Sequence, residues 1–173
     1  MEGRIAAIAR AHGLLTRQGG RGEASLHDLI ERELAPYDGR GANLKVAGPG
    51  VMLTPKAGLA MAMAIHELAS NASKYGGLST PKGRLAVTWS IDGGGAQAEN
   101  GLTLVWKETG GPAVKTPTRT GFGTTLIERT LSHDLDGDVN REFLASGLRC
   151  TIKIPLTSDV GHLAGSGGKG GKA

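Results

Sequence analysis

Apolar residues recur at helical spacing in four stretches of the chain. Ile5, Ile8, His12 and Leu15 fall on one stripe of a helix over 4–17. Gly19-Gly20-Arg21-Gly22 then breaks the pattern. Ser25 is placed to cap a second helix that runs to about Leu34, with Leu26, Leu29, Ile30 and Glu33 following, and Asp28 gives a weak capping signal. Thr54 followed by Pro55 is a strong helix start, a capping hydroxyl and then proline in the first turn. This third helix should run to about Tyr75 and stop at Gly76-Gly77. Met61, Ile65, Leu68 and Ala72 form its buried stripe. A fourth helix starts near Gly121 and runs to about His133.

Between these lie runs that read as strands. Residues 44–47 and 51–53 are short candidates around Gly48-Pro49-Gly50. Residues 85–91 and 102–107 pair across a loop that holds Gly93-Gly94-Gly95, and 139–144 and 148–156 close as a hairpin around Ser146-Gly147. Residues 109–123 are rich in Gly, Pro and Thr and should be irregular. Residues 157–173 carry too little apolar area to order themselves. Helices mixed with hairpin-paired strands predict an α+β fold of two layers.

Composition narrows the function classes. Glycine makes up 29 of 173 residues, with no Gly-X-Y period, so collagen is excluded. The net charge of +4 comes from 20 Lys and Arg against 16 Asp and Glu, and the basic residues are scattered. A nucleic-acid binder more often shows a basic stripe with stacking aromatics, so no nucleic-acid partner is expected. Cys150 is the single cysteine, which rules out an internal disulfide and a cysteine metal cluster and makes the cytoplasm the expected compartment. No apolar run reaches about 18 residues, the length a membrane helix needs. The N-terminal helix has no cap before it, as expected of a chain cut from a longer one.

The third helix carries the candidate chemistry. Glu67, Asn71 and Lys74, spaced four and three, share an arc away from the buried stripe. An amide and a carboxylate one turn apart can share Mg²⁺ and its waters, and a lysine can meet phosphate charge. A solvated helix face with internal polar contacts accounts for the same spacing. Glu108 ends a strand before Gly110 and Gly111, where a carboxylate can accept a hydrogen bond from an exocyclic amine while glycine backbone approaches a flat ring. A strand end and turn would look the same. Thr120-Gly121-Phe122-Gly123-Thr124-Thr125 opens a helix after Arg119, so backbone N–H groups and the helix dipole favour an anion there, or form a plain cap.

Taken in order, these residues resemble one family. His66-Glu67-Leu68-Ala69-Ser70-Asn71-Ala72-Ser73-Lys74-Tyr75-Gly76 resembles the N box of sensor histidine kinases. The leading His66 with Trp106 and Glu108 points to the HWE subfamily, and residues 121–127 match its glycine-rich box. The resemblance covers roughly residues 4–156. It implies the Bergerat ATP-binding fold, with helices on one face of a mixed, mainly antiparallel sheet, and the cofactors ATP and Mg²⁺.

The resemblance also assigns roles. Asn71 would bind Mg²⁺, with Glu67 beside it orienting a water or acting as a base. Lys74 and Tyr75 would face the nucleotide. Glu108 would read the adenine amine, although the wider family has an aspartate there. Gly110 and Gly111 would let the ring lie close. Gly121, Phe122, Gly123, Thr124 and Thr125 would frame the phosphates, and 112–120, with Arg119, would be the ATP lid. His66 is expected to make a structural hydrogen bond. None of His12, His27, His66, His133 and His162 lies in the family's phosphoacceptor string, and His12 falls on an apolar stripe. The acceptor is therefore expected on an upstream helix.

The expected organisation is a remnant of the dimerisation helix and linker over 1–24, a catalytic ATP-binding domain over 25–156, and a disordered glycine-rich tail over 157–173. The implied partners are the upstream acceptor helix and sensor domain, a response regulator, and a second copy through the helix at 4–17. An ATP-binding regulatory switch or a protein serine kinase is the alternative on the same fold.

Overall fold

A computed structural model describes residues 22–38, 43–93, 100–113 and 122–165, with the side chains of Phe122, Thr124 and Leu126 left out. The expected helix over 4–17 lies outside these residues. The elements run in the order β1 (Ala24–Ser25), α1 (Leu26–Leu34), a 3₁₀ turn (Ala35–Tyr37), β2 (Asn43–Ala47), β3 (Val51–Leu53), α2 (Pro55–Tyr75), β4 (Arg84–Asp92), β5 (Gly101–Thr109), α3 (Phe122–Leu135), β6 (Asp138–Leu144), β7 (Gly147–Pro155) and β8 (Gly161–Leu163).

The helix starts follow the capping chemistry. Ser25 Oγ accepts from the Asp28 N–H and Thr54 Oγ1 from the Ala57 N–H, each at 3.3 Å. Pro55 opens the first turn of α2, where its missing N–H costs nothing. α3 begins at Phe122 and continues to Leu135, slightly past the expected end. It is closed by Asp136 in the left-handed region, with the Gly137 N–H returning to the Leu131 carbonyl.

The main sheet has the order β2-β4-β5-β7-β6. β2 lies parallel to β4, and the other neighbours are antiparallel. Strand alternation sorts the two faces. Leu85, Val87 and Trp89 on β4, Leu102, Leu104 and Trp106 on β5, and Cys150, Ile152 and Ile154 on β7 are all buried. The alternate positions, such as Ser90, Lys107 and Lys153, are exposed. The helices therefore cover one face of a mixed, mainly antiparallel sheet, as expected.

α2 is the central helix of that layer, packed between α1 and α3. Its expected stripe of Met61, Ile65, Leu68 and Ala72 is buried. Ala57, Ala60, Ala64 and Ala69 are buried as well, because a central helix has more than one covered flank. Each large apolar side chain buried here contributes about 1.5–3 kcal/mol.

Both short strands form, but β2 and β3, adjacent in sequence, lie in different sheets: β2 joins the main sheet while β3 forms a separate three-stranded sheet in the order β1-β3-β8. Trp89 explains the divergence, since its indole N–H donates to the Pro49 carbonyl at 2.8 Å and its ring fills the space that a Cβ on Gly48 would need. One expectation, that of a disordered tail over 157–173, needs correction. Residues 157–165 are not disordered: β8 pairs with β3, and Val160 is buried. The Thr54 N–H donates to the Val160 carbonyl at 2.9 Å, and the Thr54 hydroxyl to that of Asp159 at 2.8 Å. An open edge on β3 supplies the partners that this segment lacks locally. Residues 166–173 lie outside the description.

Candidate functional site

The outer face of α2 carries Glu67 and Asn71 half-buried, Lys74 exposed, and Tyr75 at 73% exposure. The buried stripe on the opposite side fixes this outward placement. Among the described residues no three His, Cys, Asp or Glu side chains cluster to hold a metal by themselves. One amide and one carboxylate a turn apart suit an ion that keeps its waters and takes its remaining ligands from phosphates, as Mg²⁺ does. The residues present therefore fit that ion and no all-protein cage.

The end of α2 meets Glu108 at the end of β5. Glu108 points to the helix side of the sheet and is 3% exposed. Its two carboxylate oxygens are each engaged: the Gly77 N–H donates to Oε2 and the Trp106 indole N–H to Oε1, both at 2.8 Å. Burial pushes the Glu108 carboxyl above its ordinary range, and the bonds from Gly77 and then Trp106 pull it partly back. Each oxygen keeps a further lone pair, so the group retains the capacity to accept from an amine.

Glu108 leaves no room for a side chain at Gly76 or Gly147. Gly76 ends α2 at φ −121°, which any residue can adopt, yet a Cβ there would run into Glu108 Oε2. A Cβ on Gly147, at φ +141°, would meet the Glu108 carbonyl oxygen. On the Cβ side, Gly110 and Gly111 are already closed in by backbone. Gly110, at φ +71°, would place a Cβ 2.6 Å from the Lys82 carbonyl oxygen, and one on Gly111 would lie 2.8 Å from the Gly76 carbonyl group. The chain's own backbone takes that room.

Gly123 and Thr125 lie half-buried in the first turn of α3, with Phe122 and Thr124 in the same turn. Arg119, Gly121 and most of the expected lid over 112–120 fall outside the described residues. Two open clefts, of about 440 Å³ along Arg129–Asp134 of α3 and about 240 Å³ around Asp92, Asp138 and Lys153, lie apart from the α2–Glu108 set.

His66 does not point with Asn71. Its Nδ1 lies 3.1 Å from Glu33 Oε2 on α1, the structural hydrogen bond expected of it. Glu33 itself was missed. Its signal in the sequence was a carboxylate at helical spacing after Leu26, Leu29 and Ile30. His27 packs edge-on against Trp89, and His162 Nε2 lies 3.3 Å from Glu23.

Comparison with known proteins bears on this geometry. The family model for HWE histidine kinases matches residues 1–50. A blue-light-activated histidine kinase of Brucella ovis is 35% identical over 160 residues, which is 91% of this chain and 32% of that protein. The counterpart in Brucella anthropi is 32% identical over 158 residues. The chain thus spans about a third of the length of the curated relatives it matches. In fold it is similar to the histidine kinase domain of an Erythrobacter litoralis blue-light activated histidine kinase, with a TM-score of 0.74 at 15% identity over 91% of this chain and 75% of that one. A mycobacterial sensor histidine kinase aligns with a TM-score of 0.58 at 15% identity, over 82% of this chain and 98% of that one. Over nine-tenths of its length, through the family model for residues 1–50 and relatives at 32–35% identity, the chain is similar to the HWE histidine kinases, and it shares its fold with solved histidine kinase domains.

Proposed function

We propose that this chain is the ATP-binding catalytic part of a two-component sensor histidine kinase, working in the cytoplasm. It would present the γ-phosphoryl of Mg-ATP to a histidine on a helix outside the described residues. The observation that carries this reading is the build of α2: one helix holds Glu67 and Asn71 on its outer face, and Gly77, just past its end, is bonded to the buried Glu108. A metal-binding turn and an amine acceptor thereby sit on one rigid unit. Asn71 would offer its amide oxygen to Mg²⁺, which neutralises phosphate charge when bound. Glu67 would orient a water or take a proton beside it, and Lys74 and Tyr75 would border the nucleotide. Glu108 would accept the adenine amine on a lone pair left by Trp106 and Gly77. Gly121, Gly123, Thr124 and Thr125, with Arg119 before them, would face the phosphates at the start of α3, where the helix dipole favours anions. Catalysis of this kind is mainly positioning and charge neutralisation. The phosphoryl group would pass on to a response-regulator aspartate, and residues 4–17, expected from sequence to be a helix, would pair two copies.

Isothermal titration tests the site. Wild type should bind ATP clearly with Mg²⁺ and weakly with a chelator present. Asn71→Ala should lose the Mg²⁺-dependent gain. Equal Mg-ATP affinity in the two proteins would remove Asn71 from the site.

A further inference from the structure

Two carboxylates are buried among the described residues, and the nucleotide site uses only one of them, Glu108. The other is Glu33 on α1, 2% exposed beside Leu29, Ile30 and Leu34. A carboxylate stays in such surroundings only with a partner in good geometry. His66 Nδ1 on α2 lies 3.1 Å from Glu33 Oε2. A carboxylate oxygen in its ionised form only accepts, so the bond in that form takes its proton from Nδ1. The bond therefore joins α1 to the turn of α2 that continues into Glu67 and Asn71.

Beyond Met61, Ile65 and Leu68, the buried surface of α2 is made of small side chains. Ala57, Ala60, Ala64, Ala69 and Ala72 line its buried surface, and small side chains make shallow ridges. Apolar contact is also non-directional. The Glu33–His66 bond is directional and tied to one angular position of the helix. We propose that Glu33 is a positioning residue: by holding the His66 imidazole it sets the rotation of α2 about its axis, and so where Glu67 and Asn71 stand. This rests on the nucleotide-site reading above. Side-chain tips lie about 5–6 Å from a helix axis, so a turn of about 20° would displace the Asn71 amide by about 2 Å. Metal–ligand distances tolerate only about 0.2 Å.

The test separates positioning from mere stability. Removing one partner strands a buried polar group, whereas replacing both with apolar residues of similar size usually leaves a fold as stable as before. The double variant Glu33→Met/His66→Leu should therefore melt no lower than wild type and yet bind Mg-ATP at least fivefold more weakly by titration. Glu33→Gln keeps a carbonyl oxygen able to accept from Nδ1–H, and should bind within twofold of wild type. A double variant that binds Mg-ATP as wild type does would overturn the positioning role. So would a folded Glu33→Gln protein as weak as the double variant. Asn71→Ala, run alongside, must itself lose Mg-ATP affinity; if it does not, the site reading fails, whatever the Glu33 variants show.

Discussion

Trp106→Phe isolates the indole N–H that supports the Glu108 carboxylate. In wild type this donor meets Oε1 at 2.8 Å, in a site where both side chains are almost fully buried. A hydrogen bond to a charged acceptor contributes about 1.5–3 kcal/mol, and the smaller ring leaves space that costs about 1 kcal/mol more. The expected loss is about 2.5–4 kcal/mol, or very roughly 5–16 °C in Tm for a chain of this size. Trp89→Phe supplies the control. Trp89 is also buried, but its N–H meets the neutral carbonyl of Pro49 at 2.8 Å. The two variants therefore lose similar volume and differ in the charge of the acceptor. The native Glu108 carboxyl already sits above its ordinary range through burial. Over that window the native state holds a proton the unfolded chain has released, so stability falls as pH rises. Losing the Trp106 bond raises the native value further and widens the window upward. The deficit of Trp106→Phe should thus be smallest below the ordinary carboxylate range and grow toward pH 8, while that of Trp89→Phe stays level. Urea denaturation followed by circular dichroism at a series of pH values measures both. Deficits that run parallel across pH would refute the claim that Trp106 supports a buried charge.

Two further substitutions probe the same frame. Gly76→Ala places a methyl group against Glu108 Oε2 and should destabilise by about 1–3 kcal/mol through overpacking; unchanged urea midpoints would show that the carboxylate moves aside freely. Asp136→Gly relieves a non-glycine residue at φ 49° at the end of α3 and should stabilise by about 0.5–1 kcal/mol, so a lower Tm in this variant would contradict a strained helix end.

Local chemistry made much of this molecule legible. Ser25, Thr54 and Pro55 mark helix starts because a cap hydrogen bond spans only three residues of chain. The stripe of Met61, Ile65, Leu68 and Ala72 marks the buried side of α2, and therefore the outward turn that carries Glu67 and Asn71. Alternation along 85–91 and 102–107 gives the central hairpin for the same reason: period and turn are both short-range. The order of the N-box residues, Trp106, Glu108 and the glycine-rich box was enough to indicate the family.

What escaped the sequence depends on contacts between residues far apart along the chain. β2 and β3 separate into different sheets because the Trp89 ring lies against Gly48 and Pro49 from another strand. Residues 157–165 order themselves only because β3 offers an open edge and Thr54 offers donors. Gly76 reads as a helix stop, but the reason it has no side chain is a carboxylate 32 positions away at Glu108. Glu33 reads as one more acid on a helix until α1 folds against α2 and brings it to His66. A hydrogen bond between distant residues leaves no periodic trace, since its two ends obey separate local patterns. The sequence could therefore single out Glu67, Asn71 and Glu108 as candidates for the chemistry. Only the packed structure decided which groups are buried against the elements that carry them, Glu33 against His66 and Glu108 against Gly77 and Trp106.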